Sequence, residues 1–152
     1  MKIYQKEFTQ WLPTSLPEAW KFFSDPRNLK RITPSEMDFS IRTENLSPDI
    51  YEGQLIEYRV SPLKGYRTSW VTRILAVEKE KYFIDLQLSG PYSLWHHEHW
   101  FSVEGNGIRM YDRLSYSIPM GWIGRMMNRI LISSKIDKIF VHRKKVLEEI
   151  FK

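Results

Sequence analysis

The sequence contains no cysteine. Disulfide bonds, thiolate metal sites and cysteine nucleophiles are therefore excluded. It also has no apolar run long enough to span a bilayer, and its first residues are polar and alternating rather than those of a secretory leader. We therefore expect a soluble, cytoplasmic protein. A length of 152 residues is typical of one domain, here residues 1–152.

Positive charge is concentrated near the C-terminus. The net charge is +5, and the segment after Pro119 holds eight of the 23 Lys and Arg residues but three of the 18 acidic residues, so it carries the whole excess. This segment is either a solvated helix face or a surface that contacts an acidic membrane or nucleic acid. No zinc-finger, RNA-reading or helix-turn-helix pattern accompanies it. We expect no nucleic-acid partner and no transmembrane segment, and peripheral contact with a membrane stays open.

The N-terminal part of the chain predicts a strand followed by two short helices. Residues 3–12 alternate in polarity, as in a β-strand. Ser15 and Glu18 have the spacing of a capping box at the start of the first helix. Asp25 is suited to cap the second helix.

The remaining chain predicts a sheet covered by a helix. Six further strands between residues 37 and 118 are joined by short turns, which makes neighbouring strands antiparallel. Residues 121–151 contain no proline and are predicted to form one long helix, with a bend at Ser133 and Ser134. The predicted fold class is α+β: a curved seven-stranded antiparallel sheet, two short helices after strand 1, and a long C-terminal helix over one face.

Residues 90–101 hold three of the four histidines of the chain. With the two-residue period of a strand, one face carries Trp95, His97, His99 and Phe101. His96 falls on the opposite face and is predicted to point outward. Two imidazoles among aromatic rings on one face are unusual for a purely structural strand, so this face predicts a binding pocket.

The next turn, Glu104-Gly105-Asn106-Gly107, predicts a hairpin and fixes a register that places His99 opposite Asp112. Asp112 lies on the apolar face of the last strand, where a carboxylate needs a partner. The His99–Asp112 pair, with His97 beside it, would either hold a polar ligand end, act as a general base, or form a satisfied buried network without ligand contact.

A metal site is a further interpretation of the same residues. His97, His99 and Asp112 would supply three ligands on one side of an ion. The neighbouring aromatic rings suit an organic ligand better, so we predict neither a metal nor a cofactor.

Large apolar side chains elsewhere complete the predicted site. The candidate ligand-binding residues are Phe39, Tyr58, Trp70, Trp95, His97, His99, Phe101, Asp112, Tyr116, Trp122 and Met126. Trp122 and Met126 begin the long helix and are predicted to form a lid, or else an apolar stripe packed on the sheet. The pattern of residues 82–88 does not decide whether Asp85 and Gln87 face inward, because Phe83 shares their face.

The order of elements and several motifs resemble the START/birch-pollen-allergen superfamily, the helix-grip proteins also called SRPBCC or polyketide-cyclase-like. The resemblance covers essentially the whole chain. Its N-terminal motif runs from Leu12-Pro13 through Trp20, Phe22 and Phe23 to Asp25-Pro26. The C-terminal motif, similar to a bacterial ligand-binding subgroup labelled cell-division-inhibitor-like, comprises Gly90-Pro91-Tyr92, Trp95, His97, Glu98, His99, Phe101, Met110, Asp112, Tyr116, Pro119, Gly121 and Gly124.

The resemblance implies a cavity between the sheet and the C-terminal helix that holds an apolar or amphipathic small molecule. A minority of the superfamily catalyses cyclisation or dehydration, so membership does not by itself indicate an enzyme. We therefore predict binding or carriage of such a molecule. The alternatives are a cyclase, dehydratase or hydrolase that uses His99 and Asp112, and a module that contacts a membrane or partner through the basic C-terminal helix.

Overall fold

The computed structural model describes residues 1–152. Its seven strands form one antiparallel sheet in the order β1-β7-β6-β5-β4-β3-β2. The strands are β1 (Tyr4–Leu12), β2 (Ser40–Ile41), β3 (Leu55–Leu63), β4 (Tyr66–Glu78), β5 (Tyr82–Ser89), β6 (Leu94–Glu104) and β7 (Gly107–Ser117). This architecture confirms the predicted fold class.

Two short helical segments follow β1. Helix α1 (Leu16–Phe23) begins with the predicted capping box: the Ser15 side chain accepts from the Glu18 backbone N–H, and the Glu18 side chain accepts from the Ser15 backbone N–H. The second segment, Pro26–Ile32, is a 3-10 helix whose first turn is capped by the Asp25 carboxylate. Both predicted caps are confirmed. Proline at the start of each segment is compatible with helix because its missing N–H has no helical partner there.

The predicted strand around residues 37–42 is much shorter than expected. Ser35–Met37 is a 3-10 turn, and Asp38 takes a left-handed conformation with φ of 45°. Only Ser40–Ile41 pairs with β3. A left-handed residue breaks the extended backbone, so the alternation of Met37, Phe39 and Ile41 predicted too long a strand.

The β6–β7 hairpin has the predicted register. Glu104 pairs with Gly107, Phe101 with Met110, His99 with Asp112 and His97 with Leu114. Gly105 has φ of 61° at the first turn position, a conformation that favours glycine in two-residue hairpins. The turn therefore sets which side chains of β6 and β7 meet on the buried face.

The predicted long C-terminal helix is present, and its irregular part is a π-helical segment. Helix α2 (Gly121–Met127) passes into a π-helical segment (Asn128–Ile132) and then into α3 (Ser133–Ile150). The irregularity precedes the predicted bend at Ser133 and Ser134. It coincides with a buried contact, because the Tyr116 hydroxyl donates to Oδ1 of Asn128 at 2.9 Å.

Helix α3 lies across the concave face of the sheet. Its inward stripe consists of Ile136, Phe140, Arg143 and Leu147. Leu147 joins the larger core that includes α1 and the ends of β6 and β7, while Phe140 stacks on Phe8 of β1 at 3.8 Å between ring centroids. None of the helices combines the length and apolar content needed to cross a membrane. The space left between α3, α2 and the middle of the sheet contains the candidate site.

Candidate functional site

A cavity of about 480 Å³ lies between the sheet and the C-terminal helices. Of the 38 residues that line it, 24 are hydrophobic. This volume lies within the range typical of small-molecule sites, roughly 300–1,000 Å³. The interior is therefore large enough for an organic molecule and mostly apolar.

The cavity reaches the surface at one end. Tyr66, Pro119 and Met120 are exposed and also line the cavity. Tyr66 starts β4, and the other two residues precede α2. We call this opening between the β3–β4 turn and α2 the mouth.

Six of the eleven predicted ligand-binding residues line the cavity: Phe39, Tyr58, Trp70, Trp95, His97 and His99. Phe101, Asp112 and Tyr116 are buried behind its lining, with 5%, 6% and 1% of their surface exposed. Trp122 and Met126 lie outside it, with 66% and 46% of their surface exposed. The structure therefore does not place these two residues on an inner lid or in a stripe packed on the sheet, since their side of α2 points to solvent.

One wall of the cavity carries a cluster of ionisable side chains, which we call the polar cluster: Asp85, His97, His99, Asp112 and Arg143. Asp85 lies on β5, the histidines on β6, Asp112 on β7 and Arg143 on α3. The cluster thus joins three neighbouring strands of the sheet to the helix that covers them.

Two histidine–carboxylate bonds organise the cluster. His97 Nε2 lies 3.0 Å from Asp112 Oδ1, and His99 Nε2 lies 2.7 Å from Asp85 Oδ2. His99 Nδ1 is 2.9 Å from Asp112 Oδ1 without forming a hydrogen bond, so this contact is an electrostatic one. The sequence predicted His99 as the partner of Asp112, but the imidazole that forms a hydrogen bond with Asp112 is that of His97.

Asp85 and Gln87 both face inward. Asp85 pairs with His97 across β5 and β6, and Phe83 pairs with His99. Gln87 is buried and does not line the cavity, because its amide exchanges hydrogen bonds with the backbone of Tyr92 at 2.7 and 3.2 Å. Phe83 was the residue in the sequence that indicated this orientation, and its ring stacks on His99 at 4.1 Å between ring centroids. Its face is the buried one.

Arg143 was missed at the sequence level, where it was only one of the eight basic residues after Pro119. It is 9% exposed and lines the cavity. Its guanidinium lies 5.6 and 5.7 Å from the ring centroids of Phe23 and Phe140. The spacing of Phe140, Arg143 and Leu147 is compatible with this position, since i, i+3 and i+7 share one face of a helix, but the spacing alone does not show that this face is the inward one.

The pKa values of both carboxyl groups of the polar cluster lie below their ordinary values despite burial. Burial would raise the pKa of Asp112, but the Arg143 guanidinium and the two imidazoles outweigh burial and hold the pKa well below its ordinary value. Burial also acts to raise the pKa of Asp85, but the hydrogen bond with His99 and the nearby cations lower it below its ordinary value. Both carboxylates are therefore ionised at neutral pH.

The two histidines shift in opposite directions. Burial lowers the pKa of His97, and the neighbouring His99 lowers it further, so its ring is neutral at neutral pH. Burial also acts to lower the pKa of His99, but the contacts with Asp112 and Asp85 outweigh it and raise the pKa. A charge on His99 fits the geometry, because its two ring nitrogens lie 2.7 and 2.9 Å from carboxylate oxygens.

The raised pKa of His99 predicts a loss of stability as pH rises above the ordinary histidine pKa. A raised pKa means that the stability contributed by charged His99 is complete below the ordinary value of 6.5 and is lost as pH rises through the pKa of the folded state. The free energy of unfolding, measured in urea, should therefore fall with rising pH above neutrality. His99→Gln should remove this fall.

His96→Gln serves as the control, since His96 lies on the opposite face of β6 and contacts neither carboxylate. It should keep the wild-type profile. A profile of His99→Gln that parallels the wild type above pH 6.5 would contradict a charged His99 in the folded protein.

The donor atoms of Asp85, His97 and His99 also lie within 4.8 Å of one another, a spacing that a metal site could use. The carboxylate in this set is Asp85 rather than Asp112. Asp85 and His99 already form a hydrogen bond of 2.7 Å, and the Arg143 cation of the same cluster lies 3.8 Å from Asp112. These features favour an ion-paired network over a site for a divalent cation.

Comparison with known proteins bears on the fold. No protein-family model matches the sequence, and no curated protein matches it. Solved structures do match. TTHA0849 from Thermus thermophilus is 17% identical with a TM-score of 0.73, over 96% of this chain and 95% of that one.

Two further matches extend over the whole chain. Major latex-like protein 151 from Panax ginseng is 10% identical with a TM-score of 0.70, over 98% of this chain and 97% of that one. Ara h 8.0201 is 10% identical with a TM-score of 0.62, over 96% and 98%. The bacterial subgroup suggested by the sequence motifs stays a prediction. Over nearly its full length, this chain has the helix-grip fold that its resemblance to the START/birch-pollen-allergen superfamily implied.

Proposed function

We propose that this protein binds and carries an amphipathic small molecule in the cavity. The observation that carries the proposal is a cavity of about 480 Å³, largely apolar, with a buried polar cluster on one wall. Protein interiors are normally close-packed and contain no voids of this size. A lined space with a few convergent polar groups is the usual form of a small-molecule site.

Arg143 indicates how the molecule is oriented. The carboxylate beside it, Asp112, is 3.8 Å away, which exceeds hydrogen-bond length. Arginine has five N–H donors. The Arg143 side chain lines the cavity but makes no hydrogen bond to another group of the protein. A ligand oxygen at Arg143 would supply the missing acceptor, so we place the polar end of the molecule there.

The apolar part of the molecule would extend from Arg143 toward the mouth. Lys135 lines the cavity on the mouth side, where its Nζ lies 3.5 Å from the Pro62 carbonyl near the β3–β4 turn. The eight residue steps from Lys135 to Arg143 span about 12 Å of helix. Trp70, Trp95 and Tyr92 pack together along this path, with ring centroids 4.7–5.6 Å apart.

Native mass spectrometry of protein purified from its own host tests the proposal directly. A reproducible bound mass with an apolar body and an oxygen-bearing end is the expected result. Thr72→Trp, which fills the cavity from β4, should remove that mass. Arg73→Trp makes the neighbouring change on the exposed outer face and should retain it. Equal occupancy in both variants would place the ligand elsewhere.

Arg143 can be tested with two probes that share an aromatic body. Anilinonaphthalene sulfonate carries an anionic oxygen group, and N-phenylnaphthylamine does not. Arg143→Met should weaken the first probe by roughly tenfold or more, since hydrogen bonds to charged groups contribute about 1.5–3 kcal/mol. Fluorescence titration should show the second probe nearly unchanged, and Arg143→Lys should restore part of the loss. Equal weakening of both probes would contradict polar recognition by Arg143.

Acid–base catalysis is a second candidate function. His97 is buried, neutral and held by Asp112 at 3.0 Å while lining the cavity, an arrangement found in general bases. If the protein is an enzyme, the recovered ligand should change chemically on incubation with it. His97→Gln should then stop turnover while the ligand still binds. An unaltered ligand would leave carriage as the function.

A further inference from the structure

The surface beside the mouth carries an apolar ridge, which we define as Trp122, Met126 and Ile130. Their exposed fractions are 66%, 46% and 70%. The spacing of four residues places them in one row along α2 and the π-helical segment. Isolated exposed apolar residues are ordinary, but a row headed by tryptophan indicates contact with an apolar or interfacial partner.

Positive charge flanks the ridge. Arg125 and Arg129 are exposed and lie one position before Met126 and Ile130. Met1 and Lys2 line the same shallow surface depression as Arg125. The sequence has no acidic residue between Pro119 and Ile136. The segment that carries the ridge is therefore apolar and cationic, with no acidic residue of its own.

We propose that this surface docks on a lipid bilayer that contains anionic lipids and holds the mouth of the cavity against it. Helices that lie on membranes combine an apolar row with Lys and Arg, and tryptophan favours the boundary between headgroups and acyl chains. A second copy of this chain is a poor occupant, because a symmetric contact would bring Arg125 and Arg129 of both copies together. Nucleic acid would leave the aliphatic part of the ridge without a partner.

Docking through the ridge would place the mouth of the cavity against the bilayer. Met120 is exposed next to α2 and lines the cavity, and Tyr66 does so across the mouth. Lys64, exposed in the β3–β4 turn, adds a cation on that side. A protein seated on these groups would open its cavity onto the lipid layer, so that an amphipathic molecule could enter or leave without crossing water.

Vesicle flotation tests the proposal. The wild-type protein should float with vesicles of phosphatidylcholine mixed with phosphatidylglycerol, should bind phosphatidylcholine alone far more weakly, and should be released by high salt. Each arginine near an anionic surface accounts for about a fivefold change in affinity, so Arg125→Gln combined with Arg129→Gln should bind about thirtyfold more weakly. Trp122→Ser should weaken binding by roughly tenfold or more.

Two matched controls should bind as the wild type does. Val103→Ser changes an equally exposed apolar residue, 69% exposed, near the other end of β6, and Arg73→Gln removes an exposed cation from β4. Equal binding to both kinds of vesicle would overturn the proposal. Normal vesicle binding by the ridge variants would also overturn it. A Trp122-dependent dimer in sedimentation experiments, or binding of single-stranded RNA in place of lipid, would likewise overturn it. Affinity for anilinonaphthalene sulfonate, measured in parallel, should not change when Arg125→Gln and Arg129→Gln are combined, which separates docking from binding in the cavity.

Discussion

Asp112→Asn should lower the free energy of unfolding by about 3–5 kcal/mol, the cost of breaking a buried charge network by removing one partner. The carboxylate is 6% exposed and faces the two imidazoles and the Arg143 guanidinium. An amide has nearly the same shape but no charge. The variant would leave the buried cations of His99 and Arg143 with Asp85 as the remaining carboxylate of the cluster.

Asp137→Asn is the matched control. Asp137 pairs with Lys6 at 2.6 Å, a shorter contact than any that Asp112 makes, but its side chain is 54% exposed. Pairs in water contribute about 0–1 kcal/mol, so this variant should unfold nearly as the wild type does in urea. Adding Arg143→Met to Asp112→Asn should recover part of the loss, since the buried cation is then removed too. A loss below about 1 kcal/mol for Asp112→Asn would contradict a network that depends on this carboxylate.

Trp20→Ala should also destabilise the protein by about 3–5 kcal/mol. Trp20 is 6% exposed, and its ring packs edge-on against Phe101 and Phe83, with centroids 5.6 and 6.1 Å apart. These contacts join α1 to the sheet. The indole is too large for the surrounding rings to fill its place, so the substitution leaves a void in the core.

Trp122→Ala makes the same chemical change at a residue 66% exposed. Its effect on the free energy of unfolding should stay within about 0.5 kcal/mol, as at ordinary surface positions. Thermal or urea unfolding of the two variants side by side measures the contrast. Similar losses in both would mean that Trp122 is packed in solution and that the apolar ridge is not a free surface.

Those parts of the fold that depend on local chemistry could be predicted from the sequence. The Ser15–Glu18 capping box and the Glu104–Gly107 turn involve neighbours in the chain, and each has few alternatives. Once that turn is set, alternation fixes that His99 lies opposite Asp112, because a slip of one residue would expose the apolar face of β7.

The rest of the candidate site depends on contacts between distant segments. Asp85 reaches His99 because β5 lies beside β6, and the mixed pattern of residues 82–88 did not reveal its face. Arg143 lines the cavity only because α3 lies over the sheet, and the sequence of α3 does not show that position. The C-terminal helix contains both cations and apolar residues, and which of them face inward depends on the exact phase of that helix.

The π-helical segment Asn128–Ile132 sets that phase. A π turn contains one extra residue, which rotates the preceding helix by about 100° relative to an unbroken α-helix. Counted back from Ile136 in steps of about 3.6 residues, an unbroken helix would direct Arg129 and Arg125 toward the sheet. With the extra residue, Asn128 and Gly124 are buried instead and both arginines face solvent. One additional backbone residue thus divides a single amphipathic pattern into two surfaces, one that closes the cavity and one that lies outside it.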